Sequence, residues 1–469
     1  MNSLPALSTA TATARRPAPA RPSPLPLVAV CLGYFMVILD VTVVTVALPV
    51  IGDRLGAGVT ALQWVVDGYT LVFAGLLLFC GGLGNRLGAR TVFLAGLAVF
   101  TFASAGCALA PTVSVLVLAR LVQGLGAALM VPSSLALLRS SCPDARARAR
   151  AFGVWGTVAG LAAGAGPVLG GVLVAGLGWR SVFFLNLPAG LAALLLTVRH
   201  VPRPAAGRTR AGLDLPAQLA AAGSLGGLAA GCIEAGALGW THPAVLGALA
   251  GSAAGLAGFV VLERRSAAPM LPLGLFRAPA FSASAAIGVL LNAGFYGLLF
   301  LAPLYFQRLH HYSPLRTGLA LLPAVGLVAA GSALAGRLTA RTGPRLPMVV
   351  GLAVGAAGLC GWLVAGPGTP YLALVAPMAG AGFGTALTMP AATAAVMEAA
   401  PGERSGAAAA VFNAARQTGS AVGVALFGTL AAGDLVPGLH TAVLLGGGGF
   451  LTAAALAARC LPGRAGPRS

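Results

Sequence analysis

The sequence predicts an all-α polytopic membrane protein, two six-helix bundles plus two extra central helices, with fourteen transmembrane helices. Three observations predict it. The 469 residues are 58% hydrophobic and only 8% charged, with a mean hydropathy of +0.91. A soluble domain carries about a quarter charged residues, so lipid must be the solvent for much of this chain. The apolar residues fall in runs long enough to cross a bilayer, which takes about 20 residues. Finally, segments of the first half recur in the second.

In chain order, residues 1–25 are rich in Pro, Ala, Ser and Thr, carry Arg15, Arg16 and Arg21 and contain no acid, which predicts a disordered cytoplasmic tail. The run at 26–51 is too long for a signal-peptide core and is followed by many more, so it is a true first span. With 62–83, 91–110, 114–138, 151–177 and 181–198 it makes an N-terminal six-helix bundle, 26–198. A central linker, 199–280, holds two inserted spans at 215–237 and 243–262. The C-terminal bundle, 281–460, has spans at 281–306, 318–336, 346–366, 370–397, 406–431 and 439–460, before a cytoplasmic tail at 461–469. Glycine, at 67 residues, lets such helices approach closely.

Charge sets the orientation. The net charge is +19 and all 29 basic residues are arginine. With the N-terminus inside, 23 arginines fall on cytoplasmic segments, including Arg139, Arg146, Arg148 and Arg150 and the loop Arg199, Arg203, Arg208 and Arg210. Four (Arg54, Arg180, Arg308, Arg316) fall outside, and two, Arg120 and Arg416, lie inside spans. This positive-inside pattern predicts a multi-pass inner-membrane protein with both termini cytoplasmic. Arginines scattered through short loops do not form a phosphate-binding face, so the expected partner of this charge pattern is the lipid bilayer and not nucleic acid. Most of the seven cysteines, among them Cys31, Cys80, Cys107, Cys232, Cys360 and Cys460, sit in or at the ends of apolar runs and read as small hydrophobes.

The repeat is specific. Gly81, Leu83, Arg86, Gly88 and Arg90 return at identical spacing as Gly336, Leu338, Arg341, Gly343 and Arg345, each time on the inner loop after a span. Gly124, Gly126, Ala128, Leu129 and Pro132 return as Gly382, Gly384, Ala386, Leu387 and Pro390. The offsets, 255 and 258 residues, are nearly constant, so the halves are related by duplication. Paired halves around a midplane cavity are the architecture of alternating-access carriers.

Four segments carry a resemblance. Leu39, Asp40, Thr42, Thr45, Ala47, Leu48 and Pro49 resemble a first-span motif, and Gly81–Arg90 resembles a signature loop between spans 2 and 3. Arg120, Gln123, Gly124 and Gly126 resemble a fourth-span motif, and Gly164, Gly166, Pro167, Gly170 and Gly171 a fifth-span antiporter motif. Together, over nearly the full length, the chain resembles the fourteen-span drug:proton antiporters of the major facilitator superfamily. Val65, Val66, Asp67, Gly68 and Tyr69, with Gly84–Ala89, look most like the methylenomycin-resistance type of actinobacterial exporter. The resemblance implies the major facilitator fold, a proton-coupled antiporter exporting an antibiotic or other drug, the proton gradient as energy source without any cofactor, and a part for Arg120 in proton transfer. Two positions depart from the pattern: Asn85 stands where the signature loop usually has Asp, and Thr45 where the first-span motif usually has Asn.

The residues themselves point the same way. Asp40 lies about 13 residues into its span, roughly 20 Å deep, where a carboxylate costs on the order of 3 kcal/mol and usually faces a pathway. A buried acid that exchanges its proton on opposite sides couples proton entry to substrate exit; the alternative is a structural Asp held by Thr42 or by backbone. Arg120, roughly 10 Å from the outer edge, either tunes Asp40, holds an anionic substrate, or caps backbone carbonyls. Asp67, near Trp64 and the outer end of span 2, is a release-side acid, a substrate contact or a solvated vestibule carboxylate, and with Tyr69 it is expected on the substrate cavity. Glu234, with Trp240 as an interface anchor, reads as structural. Asn413, Arg416 and Gln417 form a polar face for the second half of the cavity, with Asn292, Tyr296 and Gln307 as weaker candidates. Pro167 removes a helix hydrogen bond, and the glycines around it allow a bending, sealing outer gate or plain tight packing. Gly88 permits a sharp turn, and Arg86 and Arg90 bond helix C-terminal carbonyls or lipid phosphate.

There is no GxxxxGK[ST] loop for ATP, and no HExxH, Cys/His ligand cluster or nucleophile–base set, so neither enzyme nor metal site is expected. His310 and His311 read as surface polarity. The competing functions are a proton-independent facilitator or small-nutrient importer on the same fold, and a non-transporting membrane sensor. A monomer is expected.

Overall fold

The computed structural model describes residues 24–141, 145–202, 214–266, 271, 273–400 and 405–463. The two tails and arginines such as Arg203, Arg208 and Arg210 thus lie mostly or wholly outside the described residues. Every regular element among these residues is helical. Thirteen helices are long and apolar enough to span a bilayer. They are α1 (Leu25–Leu55), α2 (Val59–Leu87), α3 (Ala89–Leu109), α4 (Val113–Ser141), α5 (Ala145–Leu177), α6 (Ser181–His200), α7 (Leu215–Leu238), α8 (Pro243–Arg265), α9 (Pro279–Leu309), α10 (Pro314–Thr342), α11 (Arg345–Val364), α12 (Tyr371–Ala399) and α14 (Leu435–Cys460). Between the last two lies α13 (Ser405–Leu430), 26 residues and of spanning length. It is less apolar because Asn413, Arg416, Gln417, Thr418 and Ser420 lie along it.

The helices pack in the same scheme twice. In the first half α3 packs on α4, α2 on α4, and α1 on α5 and α6. In the second, α11 packs on α12, α10 on α12, and α9 on α13 and α14. Two seams join the halves: α2 against α13, and α5 against α10. Each seam pairs the second helix of one half with the fifth of the other, so the duplication seen in the sequence reappears as pseudo-symmetry. The inserted α7 lies along the first seam, where Gln218 donates to the Gly75 carbonyl of α2 and Thr429 of α13 donates to the Cys232 carbonyl, 2.6 Å. The outermost insert, α8, packs chiefly on α7 and leaves Leu246, Leu256 and Val261 exposed.

Alternating helix direction puts both described chain ends on one face, here called the terminal face, opposite a far face. On the far face Gln63 of α2 donates to the Ala425 carbonyl, 2.6 Å, and Gln307 of α9 donates to the Val46 carbonyl, 2.9 Å. Gln307 therefore belongs to a seal between halves and not to a cavity wall. The same face corrects His310, which is half-buried, its Nε2 2.9 Å from the Tyr305 hydroxyl. Helix α10 starts at Pro314, four residues before the expected 318, and is interrupted at Leu321 and at Gly326–Leu327. Pro323, which lacks an N–H and crowds the preceding turn, accounts for the break. Toward the terminal face a methyl group added at Gly153, Gly156 or Gly160 of α5, or at Gly336 of α10, would meet nothing within 4 Å. The halves thus close on the far face and diverge toward the terminal face.

Candidate functional site

Helices α1, α3, α4 and α6 bring five polar side chains together inside the first bundle. Asp40 is 2% and Arg120 1% exposed. Their side chains form the one ion pair among the described residues, between Arg120 Nη1 and Asp40 Oδ2. Arg120 Nη1 also donates to Gln123 Oε1, 2.7 Å, and its Nε donates to the Val65 carbonyl of α2, 2.9 Å. The other carboxylate oxygen, Asp40 Oδ1, accepts from Gln123 Nε2, 2.9 Å, and from Asn186 Nδ2, 3.0 Å. Ser104 accepts from Gln123 at 2.9 Å, and Asn186 lies 3.3 Å from it. The guanidinium lies over the Tyr69 ring, 4.3 Å from its centroid. Thr42, the alternative holder of Asp40, bonds the Leu39 carbonyl of its own helix instead.

This geometry has a physical logic. An ion pair taken out of water costs several kcal/mol per ion unless further hydrogen bonds complete it, and here Gln123, Asn186 and the Val65 carbonyl do so. Breaking the pair, by adding a proton to Asp40 or by moving α1 against α4, leaves Arg120 without its counter-charge. Asp40 and Arg120 are legible in the sequence and Gln123 only as part of the fourth-span motif, while Ser104 and Asn186 do not stand out there. A lone Asn inside an apolar span was the signal for Asn186.

The cavity lies on the other side of α1. Val37, Ile38 and Val41 of α1, with Tyr34, line a space of about 60 Å³ together with Val66 and Thr70 of α2, Tyr296 and Phe300 of α9, and Asn413, Arg416, Gln417 and Ser420 of α13. That is room for a few waters only, so the walls must part to admit a drug-sized molecule. Tyr34 stacks on Trp155 of α5, with centroids 3.7 Å apart. Of the residues expected to line the cavity, Tyr296, Asn413, Arg416 and Gln417 do so. Asp67, Tyr69 and Asn292 do not. Tyr69 is fully buried beside Arg120, and Asn292 turns back to donate to the Gly288 carbonyl, 2.7 Å. Asp67 is fully buried, which excludes a solvated vestibule acid, and neither carboxylate oxygen has a hydrogen-bond partner. Glu234 accepts from Trp64 Nε1, 2.9 Å, tying α7 to α2.

The fifth-span glycines face two ways. At Gly170 a methyl group would sit 2.8 Å from the Val43 carbonyl oxygen, and at Gly166 it would collide with Thr42, so this face of α5 packs on α1. At Gly171 it would sit 2.7 Å from the Pro314 carbonyl oxygen, while the Pro167 carbonyl meets Gly318, so the other face packs on α10 across the seam. Gly164 is looser, 3.7 Å from the Val325 carbonyl oxygen, and α5 stays helical through Pro167. Gly124 lies against the Tyr69 carbonyl, letting α4 approach α2. In the loops, Gly88 has φ +88° and its repeat partner Gly343 φ +79°, a region L-residues rarely enter. Gly81 is in ordinary contact with Pro132, and Asn85 and Arg86 are exposed. Arg90 caps α6, its Nε donating to the Val201 carbonyl at 2.8 Å and its Nη2 to that of Val198 at 2.9 Å. Arg90→Ala removes these bonds and, because water can reach the exposed Val198 end, is expected to cost about 1 kcal/mol, seen as a lower melting temperature of the detergent-solubilised protein; an unchanged melting point would show the cap to be dispensable.

Comparison with known proteins gives a consistent picture. Residues 30–424 match the Major Facilitator Superfamily. The chain is 39% identical over 402 residues to a methylenomycin A resistance protein of Streptomyces coelicolor, covering 86% of this chain and 84% of that protein. It is 37% identical to the tetracenomycin C resistance and export protein of Streptomyces glaucescens, covering 87% and 76%. Among solved structures, a bacterial homologue of the human lysosomal transporter Spinster, inward-facing and occupied, superposes with a TM-score of 0.66 at 17% identity, covering 94% of this chain and 98% of that one. A variant of the nucleoside transporter NupG gives 0.65 at 11% identity, covering 92% and 98%.

Proposed function

The chain belongs to the Major Facilitator Superfamily, and on that footing we propose that it exports a small organic compound, an antibiotic or related drug, in exchange for protons. The observation that carries the reading is the position of the Asp40–Arg120 pair on one side of α1, with the cavity on the other. A proton arriving at Asp40 neutralises the carboxylate, weakens its hold on Arg120 and frees α1 to move against α4. The same helix supplies the wall of the cavity, so proton binding and substrate binding act on one moving part. The proton gradient is then the energy source, and no cofactor enters. The names of the relatives support a drug as cargo.

The terminal face is the cytoplasmic one in this reading, with the protein in the inner membrane. The arginines support it: Arg86, Arg90, Arg139, Arg264, Arg265, Arg341 and Arg345 lie at helix ends on the terminal face, against Arg54, Arg180, Arg308 and Arg316 on the far face. The seals at Gln63 and Gln307 then shut the outer side, and the cavity is reached from the cytoplasm. One polypeptide supplies both walls, so a monomer suffices.

The test is accumulation of a panel of antibiotics in cells making the protein, with and without a protonophore. Proton-driven export predicts low accumulation that rises to the level of cells lacking the protein once the gradient collapses. An importer would instead take up less, and a facilitator would be indifferent to the protonophore beyond equilibration.

A further inference from the structure

We infer that the cargo carries an anionic group, a carboxylate or a close equivalent, held by Arg416 of α13 with Tyr34 of α1 and Tyr296 of α9. The inference deepens the proposed function, since it assigns a substrate class to the same cavity. Among the residues lining that cavity Arg416 is the only charged one, and no acid accompanies it. Its sole side-chain partner among the described residues is Asn413, whose Oδ1 accepts from Nη1 at 3.3 Å, and its Nε is buried with no partner at all. The only ion pair among the described residues is the one at Asp40, on the far side of α1.

A guanidinium within the membrane, walled by Val37, Ile38, Val41, Val66, Phe73 and Phe300, is costly without a counter-charge. Elsewhere in the bilayer region this protein meets that cost with an internal carboxylate, at Arg120. At Arg416 it does not, which leaves the counter-charge to come from outside the chain. The surroundings suit an anion. Tyr34 and Tyr296 both lie within electrostatic range of Arg416 and line the same space. Each hydroxyl is a donor, and Asn413 and Gln417 add amide donors on the same helix face. A planar carboxylate takes two parallel bonds from a guanidinium, and the apolar walls would cover the remainder of an organic acid. Since the helices that hold these donors come from both halves, the anion would also bridge α1 to α9 and α13.

The test uses three probes of one shape and different charge, 2-naphthoate, 2-naphthamide and 2-naphthylmethylammonium, titrated against the full-length protein in nanodiscs. The acid should bind at least about tenfold more tightly than the amide, the equivalent of one charge-assisted hydrogen bond, and the ammonium most weakly. Arg416→Gln should bring acid and amide together, Arg416→Lys should keep part of the preference, and Tyr296→Phe should reduce it several-fold while leaving the guanidinium in place. Equal binding of acid and amide, including none by either at millimolar concentration, overturns the inference. So does tighter binding of the ammonium, or a preference for the acid that survives Arg416→Gln. Because binding needs no gradient, a protein that prefers the acid but moves no protons would retain this inference and lose the antiport reading; the reverse result would do the opposite.

Discussion

Proteoliposomes containing Asp40→Asn are expected to show no substrate-triggered proton movement, whereas the unaltered protein, under the proposed antiport, is expected to move protons against each transported antibiotic. Asn keeps the shape of the carboxyl group and one acceptor oxygen, but puts an NH2 donor where the second oxygen faces Arg120 and has neither charge nor a titrating proton. Gln123 Nε2 and Asn186 Nδ2 still have an oxygen to donate to, so the local network survives in part. What is lost is the counter-charge of Arg120, 1% exposed and bonded on its other side only to Gln123 and the Val65 carbonyl. Removing one member of a buried ion pair costs about 3–5 kcal/mol, so the single variant should also be less stable. The double variant Asp40→Asn with Arg120→Gln removes both charges and should recover most of that stability while remaining uncoupled. This separation matters, because a fold defect and a coupling defect give the same flux result in the single variant. Substrate-triggered proton movement in a stable double variant would show that the coupling acid lies elsewhere, with buried, unpartnered Asp67 the next residue to replace.

The second large effect concerns α5, where neighbouring glycines should fail in different ways. Gly171→Ala places a methyl group 2.7 Å from the Pro314 carbonyl oxygen and 2.9 Å from Leu315 Cα, both backbone atoms of α10 in the other half. They cannot yield as a side-chain tip would, so the far-face seam is expected to part. Overpacking of this kind costs about 1–3 kcal/mol, and about 1.4 kcal/mol is already a tenfold shift between two states. The readout is labelling of Ser420→Cys, on the cavity wall, by a membrane-impermeant maleimide added outside intact cells, with the protein's native cysteines as background. Labelling should rise about tenfold in Gly171→Ala. Gly170→Ala places its methyl 2.8 Å from the Val43 carbonyl oxygen of α1, inside the same bundle. It should lower the melting temperature without raising external labelling. If both variants behave alike, the two faces of this glycine segment do not have separate duties and the seam is not the outer gate.

The division between what is legible in the sequence and what is not follows from the physics of each level. The spans are readable because lipid demands a minimum length of apolar chain, and α13 is readable too, although Asn413, Arg416 and Gln417 make it less apolar than the rest. Asp40 and Arg120 stand out for the converse reason: charge inside an apolar run is costly and so is kept only for a purpose. The repeat shows two related halves, because Gly88 and Gly343 both occupy a backbone region that few other residues tolerate. Rotation about each helix axis is not readable. Each residue turns the helix by about 100°, and a span apolar on every side gives no polar face from which to judge its inner side. Hence sequence reasoning puts Asp67, Tyr69 and Asn292 on a cavity that they do not touch, and overlooks Tyr34 on one that it does. The partners of Asp40 are likewise hidden, since Gln123 and Asn186, and the Ser104 that both of them bond, lie on three other helices and only their packing assembles them around one carboxylate. The sequence by itself determined that this chain crosses the membrane as two duplicated halves with charged residues inside spans, among them Asp40, Asp67, Arg120 and Arg416. Tertiary structure alone decided what completes the Asp40–Arg120 pair, with Gln123 and Asn186 on the carboxylate and the Val65 carbonyl on the guanidinium, and that no acid faces Arg416 across the cavity, because that depends on how helices distant in the chain are turned toward one another.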